Sequence, residues 1–316
     1  MKERNILWVF LAFILGFMLP VCTCVGSCFL SVASLGLLAE GGEPVATGPA
    51  VAVIRLNGVI SSGSADSFSS AGITPDFVEN QLAQAASNPD VKAVVLQINS
   101  PGGSVVASDQ IYHMLKDFEK PIVVWMDETA ASGGYYIACG TDYVIAHPDT
   151  LTGSIGVISQ FINAEDLLEE IGVDVVVITT GPRKDTGSLF RDMTEEELVY
   201  WQTIIDEVYE EFVDIVAEER GLPEETVREL ADGSVYTGRQ ALEAGLVDAV
   251  GLPQDAIAKA AELGGIKGEP HVIEIEAVPS FWEALYTYQA RPTTPTLEEL
   301  LNWTTTPSLE FRFAGP

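Results

Sequence analysis

Basic residues are scarce in this chain: 16 Lys and Arg stand against 46 Asp and Glu, a formal net charge of −30 over 316 residues. Such a surface repels phosphate backbones and argues against nucleic-acid binding. The acidity fits a salty milieu or a heavily solvated surface, the second being the plainer reading. Histidine is scarcer still. Only His113, His147 and His271 are present, and none has an obvious acidic partner in a glycine-lined loop, so a Ser-His-Asp apparatus finds little support. Cysteine is confined to Cys22, Cys24 and Cys28 near the N-terminus and to Cys139 in the body. That distribution leaves no internal disulfide framework and no zinc-ligand spacing. No cofactor motif is found.

Charge is missing altogether between Arg4 and Glu40, where "ILWVFLAFILGFML" forms an apolar run long enough to span a bilayer. Lys2 and Arg4 precede it and no basic residue follows until Arg55, so residues 1–39 are expected to be a membrane anchor with a cytoplasmic N-terminus and an extracytoplasmic body. A cleaved secretory signal would also export the body, but the uncharged stretch is long for one. Acylation of Cys28 within "VGSC" is the variant reading of the same segment.

Beyond the anchor the chain is rich in short β-branched runs. After a linker at about residues 40–50, "VAVIRLNGVI", "KAVVLQINS", "PIVVWM", "DYVIA", "GSIGVISQF" and "VDVVVITT" read as strands, with helices between them over Phe77–Ala86 and Ser108–Phe118. The pattern predicts an α/β fold with largely parallel strands. A long helix should start at Thr194, capped with Glu197, carry Leu198, Trp201, Ile205, Val208, Phe212 and Ile215 on one face, and end at Gly221. That stripe suits a core or an oligomer seam. A body over 51–267 gives way to a tail over 268–316, with one strand-like "HVIEIEAV" and no disclosed role.

Two glycine loops carry the chemistry. "INSPGGSV" ends a strand and starts a helix, so its backbone N–H groups can face a bound oxygen with no Cβ in the way. "DETAASGGYYIAC" does the same around one hydroxyl, Ser132, which falls at the head of a helix where a developing alkoxide is favoured. A serine nucleophile needs a base. Among seven lysines, Lys184 in "TTGPRKDTGS" follows a strand and precedes the capped helix, the carboxyl-end position where α/β folds assemble sites. Taken alone, it also reads as a solvated lysine beside Asp185.

"INSPGGSV", "MDETAASGGYYIAC", "LTGSIGVI", "GPRKDTGSLFRDMTEEE" and "DGSVYTGRQALEAGLVDAVG" stand in the order and approximate spacing of the short, single-unit form of bacterial signal peptide peptidase A (SppA, peptidase family S49), which the chain resembles over about residues 50–255. The resemblance implies a ClpP/crotonase-like fold of repeated ββα units behind an N-terminal transmembrane helix, and a Ser/Lys-dyad endopeptidase. It places the nucleophile on Ser132, the general base on Lys184, the serine that orients the lysine on Ser154 and an oxyanion N–H on Gly103. Gly133 is added because its N–H follows the nucleophile. The implied partners are membrane lipid, remnant signal peptides and other hydrophobic peptides, and further copies of the chain in a dome-like homo-oligomer such as an octamer. The implied location is the cell membrane, single-pass.

Four other readings compete. A ClpP-type Ser-His-Asp protease would want a histidine where Ser154–Val157 stand. A crotonase-type acyl-CoA enzyme uses both oxyanion loops without a nucleophile, and the serine, the lysine and the exported location oppose it. A stomatin-operon (NfeD-type) membrane protease, also a Ser/Lys enzyme of this fold, is the nearest rival. A catalytically idle scaffold is disfavoured by the intact dyad motifs.

Overall fold

Strands covered on both faces read as unbroken apolar runs, and three such runs form the middle of the sheet. The computed structural model describes residues 48–62, 72–275 and 310–313, all within the unit Gly48–Pro316. Strands β1 (Ala50–Asn57), β2 (Val91–Ser100) and β4 (Ile122–Ala131) lie side by side and parallel. β9 (His271–Ile275) extends the sheet beyond β1, also parallel. β4 pairs with β5 (Tyr143–Ala146) along its first half and with β6 (Leu151–Gly153) at its end. β7 (Val235–Thr237) closes that side antiparallel to β6, and β8 (Ala249–Val250) lies on β5. A second, two-stranded sheet pairs β3 (Gly102–Ser104) with β10 (Glu310–Arg312).

The β2–β4 register jumps: Ile98 faces Met126, but Ser100 faces Ala130. The extra residues of β4 bulge and bend the strand, carrying its end away from β2 and against β6.

Helices cover both faces. α1 (Pro75–Ser87) is capped by the Thr74 hydroxyl and starts with proline, and α2 (Val105–Lys116) is capped by Ser104. α3 (Gly133–Cys139) is wholly buried. Short α4 (Glu165–Glu170) precedes the long α5 (Glu195–Arg220), followed by α6 (Glu224–Leu230), α7 (Gly238–Glu243) and α8 (Pro253–Leu263). One face of the sheet packs Leu56, Leu96, Ile98 and Val124 against Ile111, Tyr136 and Phe212 of α2, α3 and α5. The other packs Val51, Val53, Val95 and Val123 against Ala256 and Ala260 of α8. Each fully buried aliphatic side chain contributes about 1.5–3 kcal/mol.

The predicted long helix is present with its capping box made in both directions and a left-handed Gly221 at its end; such a cap contributes about 1 kcal/mol. Its apolar stripe divides, however: Phe212 is fully buried and Leu198 is 54% exposed. Two strand readings need correction. In "GSIGVISQF" the ladder stops at Gly153, because Ser154 turns with φ 49°. "VDVVVITT" joins no ladder among the described residues, and its Val176 and Ile178 are 84% and 92% exposed. β-branched residues favour extended backbone, but a strand also needs a partner. The predicted membrane anchor lies outside the described residues, among which no helix is long and apolar enough to cross a membrane.

Candidate active site

β4 ends at Ala131 and α3 begins at Gly133, so Ser132 alone makes the turn between them. Its backbone takes φ 52° and ψ −116°, a region that costs a non-glycine residue of order 1–3 kcal/mol. The turn is held from both sides: the Ser132 N–H donates to the Gly153 carbonyl (2.7 Å), and the Ser132 carbonyl accepts from the Tyr136 N–H (2.8 Å). The side chain makes no capping bond to the helix, and the residue is 1% exposed. A buried hydroxyl that does not cap the helix it precedes is left available for chemistry. Ser154 occupies the equivalent step beyond β6. Ala131 is paired with Gly153, which places Ser132 and Ser154 about one strand spacing apart, ~4.8 Å.

The two glycine loops meet at this point. A Cβ on Gly102 would stand 2.6 Å from the Gly133 nitrogen, and one on Gly133 would stand 2.7 Å from the Ser108 hydroxyl. Gly102 also has φ 95°, so neither position accepts a side chain without displacement. Ser108 is fixed by donating to the Ser104 carbonyl (2.9 Å), and Ser100 accepts from the Gly102 N–H (3.1 Å). Gly103, on β3, pairs with Phe311 of β10. The structure thus brings together four of the five residues singled out in the sequence: Ser132, Ser154, Gly103 and Gly133.

Lys184 stands differently. It lies on a tight turn, its N–H donating to the Gly181 carbonyl (3.2 Å), and its side chain is exposed; among the described residues no hydrogen bond joins it to Ser132 or Ser154. The turn is nonetheless well fixed. The Asp185 carboxylate is taken up by Arg191, from which it receives two bonds at 2.9 Å each, and Arg191 also grips Glu197 at 2.6 and 2.9 Å. Glu197 accepts in turn from the Thr186 hydroxyl (2.9 Å) and the Thr194 N–H (2.9 Å). Arg191 holds the carboxyls of both Asp185 and Glu197 below the usual carboxylate range. Arg183 stacks over the Tyr200 ring, 4.5 Å from its centroid. The lysine is therefore displayed on a clamped turn at the head of α5.

The clamp residue Arg191 escaped the sequence reading, although "RKDTGSLFRDMTEEE" contains it and the capping box already located Glu197. Cys139, three residues beyond the Tyr136 ring, is fully enclosed, and burial pushes its thiol up to about 12, which removes it as a nucleophile.

The Peptidase family S49 profile matches residues 114–267, and the Clp protease profile matches residues 69–152, in keeping with a mixed α/β, ClpP-like fold. A Synechocystis sp. protein named as a candidate protease is 45% identical over 188 residues, 59% of this chain and 67% of that one. An Enterococcus faecium protein named as a candidate signal peptide peptidase SppA is 38% identical over 219 residues, 68% of this chain and 64% of its own length. The chain therefore spans about two thirds of these relatives. A solved structure, a mutant of the 1510-N membrane-bound stomatin-specific protease, aligns with TM-score 0.47 and 14% identity over 73% of this chain and 99% of its own. With a strained, buried serine framed by two glycine loops inside the matched region, the chain belongs to peptidase family S49, that of the SppA-type serine proteases.

Proposed function

We propose that the protein is a membrane-anchored endopeptidase that uses Ser132 and Lys184 to cut remnant signal peptides and other hydrophobic peptide segments on the extracytoplasmic side of the membrane. The observation that carries this reading is the Ser132 turn, a strained strand-to-helix junction that holds an uncapped, buried serine where the loops carrying Gly102 and Gly133 meet. In the proposed reaction neutral Lys184 takes the Ser132 proton as Oγ attacks the scissile carbonyl, and Ser154 holds the amine in line. The Gly103 and Gly133 N–H groups stabilise the oxyanion. Lys184 returns the proton to the leaving amine, and water hydrolyses the acyl-enzyme.

A lysine amine in water keeps its proton until about pH 10, so a lysine base must be desolvated. A single chain leaves Lys184 exposed. We therefore assign the desolvation to assembly: a second copy of this chain covers the Lys184 turn and the unpaired apolar segment Val173–Ile178 beside it. Labelling with a fluorophosphonate tests the core of the reading. The parent should be labelled and Ser132→Ala should not; equal labelling would refute the assignment.

A further inference from the structure

Two glycines in a row give a backbone no steric direction, since glycine takes positive and negative φ about equally. In "SPGGS" that freedom falls at Gly102 and Gly103, yet the Gly103 N–H must keep one orientation to act on an oxyanion. Hydrogen bonds supply the direction that the residues lack. Ser100 ends β2, held extended by the proline that follows it, and the Pro101 ring allows little rotation of its own φ. The Ser100 hydroxyl reaches over Pro101 and accepts from the Gly102 N–H at 3.1 Å. On the far side of the same residue, the Ile60 N–H donates to the Gly102 carbonyl at 2.9 Å, and the Ile60 carbonyl accepts from the Ser104 N–H at 2.8 Å. In a trans peptide the N–H is opposed to the C=O. With the Gly102 oxygen held by Ile60, the Gly103 N–H therefore points away from Ile60. A Cβ on Gly103 would collide with the Ile60 carbonyl, so the two backbones are pressed together. Ser100 also meets the second loop. It is fully buried, its backbone pairs with Ala130 of β4, and a Cβ on Gly134 would come within 2.9 Å of its carbonyl oxygen.

We propose that Ser100 is a positioning residue for the reaction: by holding the Gly102 N–H, its hydroxyl fixes the Gly102–Gly103 peptide against Ile60 and keeps the Gly103 N–H aimed at the oxyanion. This rests on Ser132 as nucleophile and Gly103 as oxyanion donor, and adds to them a residue that acts through the loop alone. Charge develops on the scissile carbonyl oxygen only as the tetrahedral intermediate forms, so an interaction made there raises kcat and leaves ground-state binding unchanged. Without the Ser100 bond the glycine pair regains its freedom, and a misplacement of about 1 Å forfeits about a hundredfold in rate. The base keeps its surroundings, because among the described residues the Ser100 hydroxyl bonds only to Gly102.

The test uses the full chain, an internally quenched hydrophobic peptide, and a peptide aldehyde of the same acyl-side sequence. In the aldehyde adduct Oγ bonds to the aldehyde carbon, the serine proton passes to the lysine, and the carbonyl oxygen becomes the oxyanion. Ser100→Ala removes the acceptor. Ser100→Cys keeps the shape with a weaker acceptor, so it decides the matter if Ser100→Ala fails to fold. The expected result for Ser100→Ala is a fall in kcat of about tenfold to a hundredfold with KM within about twofold. The inhibition constant of the aldehyde should rise by the same factor, the acid limb of the pH–rate profile should stay in place, and Ser100→Cys should fall between parent and alanine. Parent kcat in the folded variants, a loss carried by KM, an unchanged aldehyde constant or a displaced acid limb, with hydrolysis still dependent on Ser132, overturns this proposal alone. Hydrolysis that survives Ser132→Ala overturns the serine-protease reading and this inference with it.

Discussion

Ser132 and Ser154 are the two described non-glycine residues with positive φ, 52° and 49°, and they follow directly on the paired residues Ala131 and Gly153. Two adjacent strands, β4 and β6, thus each give way to a serine with positive φ at the same end of the sheet. Adjacent segments of the same chain hold both steps: the Ser132 N–H donates to the Gly153 carbonyl, and the Ser154 N–H donates to the Ser234 carbonyl at 2.8 Å.

Strain of this kind separates two substitutions that remove the same hydroxyl. Ser132→Ala keeps the Cβ and its cost, whereas Ser132→Gly takes the turn freely. Both should lower peptide hydrolysis by at least about 10³-fold. Ser132→Gly should nonetheless melt above Ser132→Ala by about 2–4 °C, matching about 1 kcal/mol in a domain of this size. Equal melting temperatures would show that the turn is not strained.

The Arg191 clamp makes a prediction about pH. Asp185 adjoins Lys184 in sequence, and Arg191 takes up its carboxylate. In Arg191→Ala the freed carboxylate would favour the protonated lysine, so the acid limb of the pH–rate profile should move to higher pH, with Arg191→Lys in between. The clamp also has a stability signature. Asp185 and Glu197 titrate below their ordinary values, so their contribution is complete above about pH 4.3 and is lost as pH falls through the depressed values. Acid melts of the parent should lose this increment, and Arg191→Ala should have none to lose.

Cys139 offers a check on the core. Its thiol is buried, with its titration pushed up to about 12, so iodoacetamide at pH 8 should leave it unmodified in the folded protein and alkylate it in denaturant, as mass mapping of the peptide that carries Cys139 will show. Modification under native conditions at the rate of the denatured chain would mean that α3 opens readily.

The sequence made the central strands and the two glycine loops legible because each is local: unbroken β-branched runs for β1, β2 and β4, and a strand–glycine–helix transition at Gly102 and again at Ser132. The capping box at Thr194 was readable for the same reason. Partnerships were not. Nothing within "VDVVVITT" reveals that no strand among the described residues pairs with it, and nothing within "SLEFRFAGP" reveals that Phe311 returns to Gly103, some 200 residues earlier. Arg191 was invisible because an arginine's carboxylate partners depend on how the loop folds back onto α5.

The unpaired Val173–Ile178 segment leads to the prediction with the widest reach. Val176 and Ile178 are almost fully exposed, and Leu198 and Val199 at the head of α5 are 54% and 63% exposed, an apolar surface flanking the turn that carries Lys184. Exposed apolar side chains gathered on one part of a surface mark contact sites. If a second copy covers it, one contact both buries the patch and dries the lysine, so assembly and base strength rise together. Ile178→Asp places a charge in that contact, away from Ser132 and the core. It should shift the protein toward monomer by light scattering and lower hydrolysis at pH 7 by more than tenfold. Much of the lost rate should return as pH is raised toward 10, where an exposed lysine begins to lose its proton unaided. Diluting the parent through its dissociation range should move its acid limb the same way. An Ile178→Asp monomer with the parent's pH profile would mean that Lys184 is desolvated within one chain.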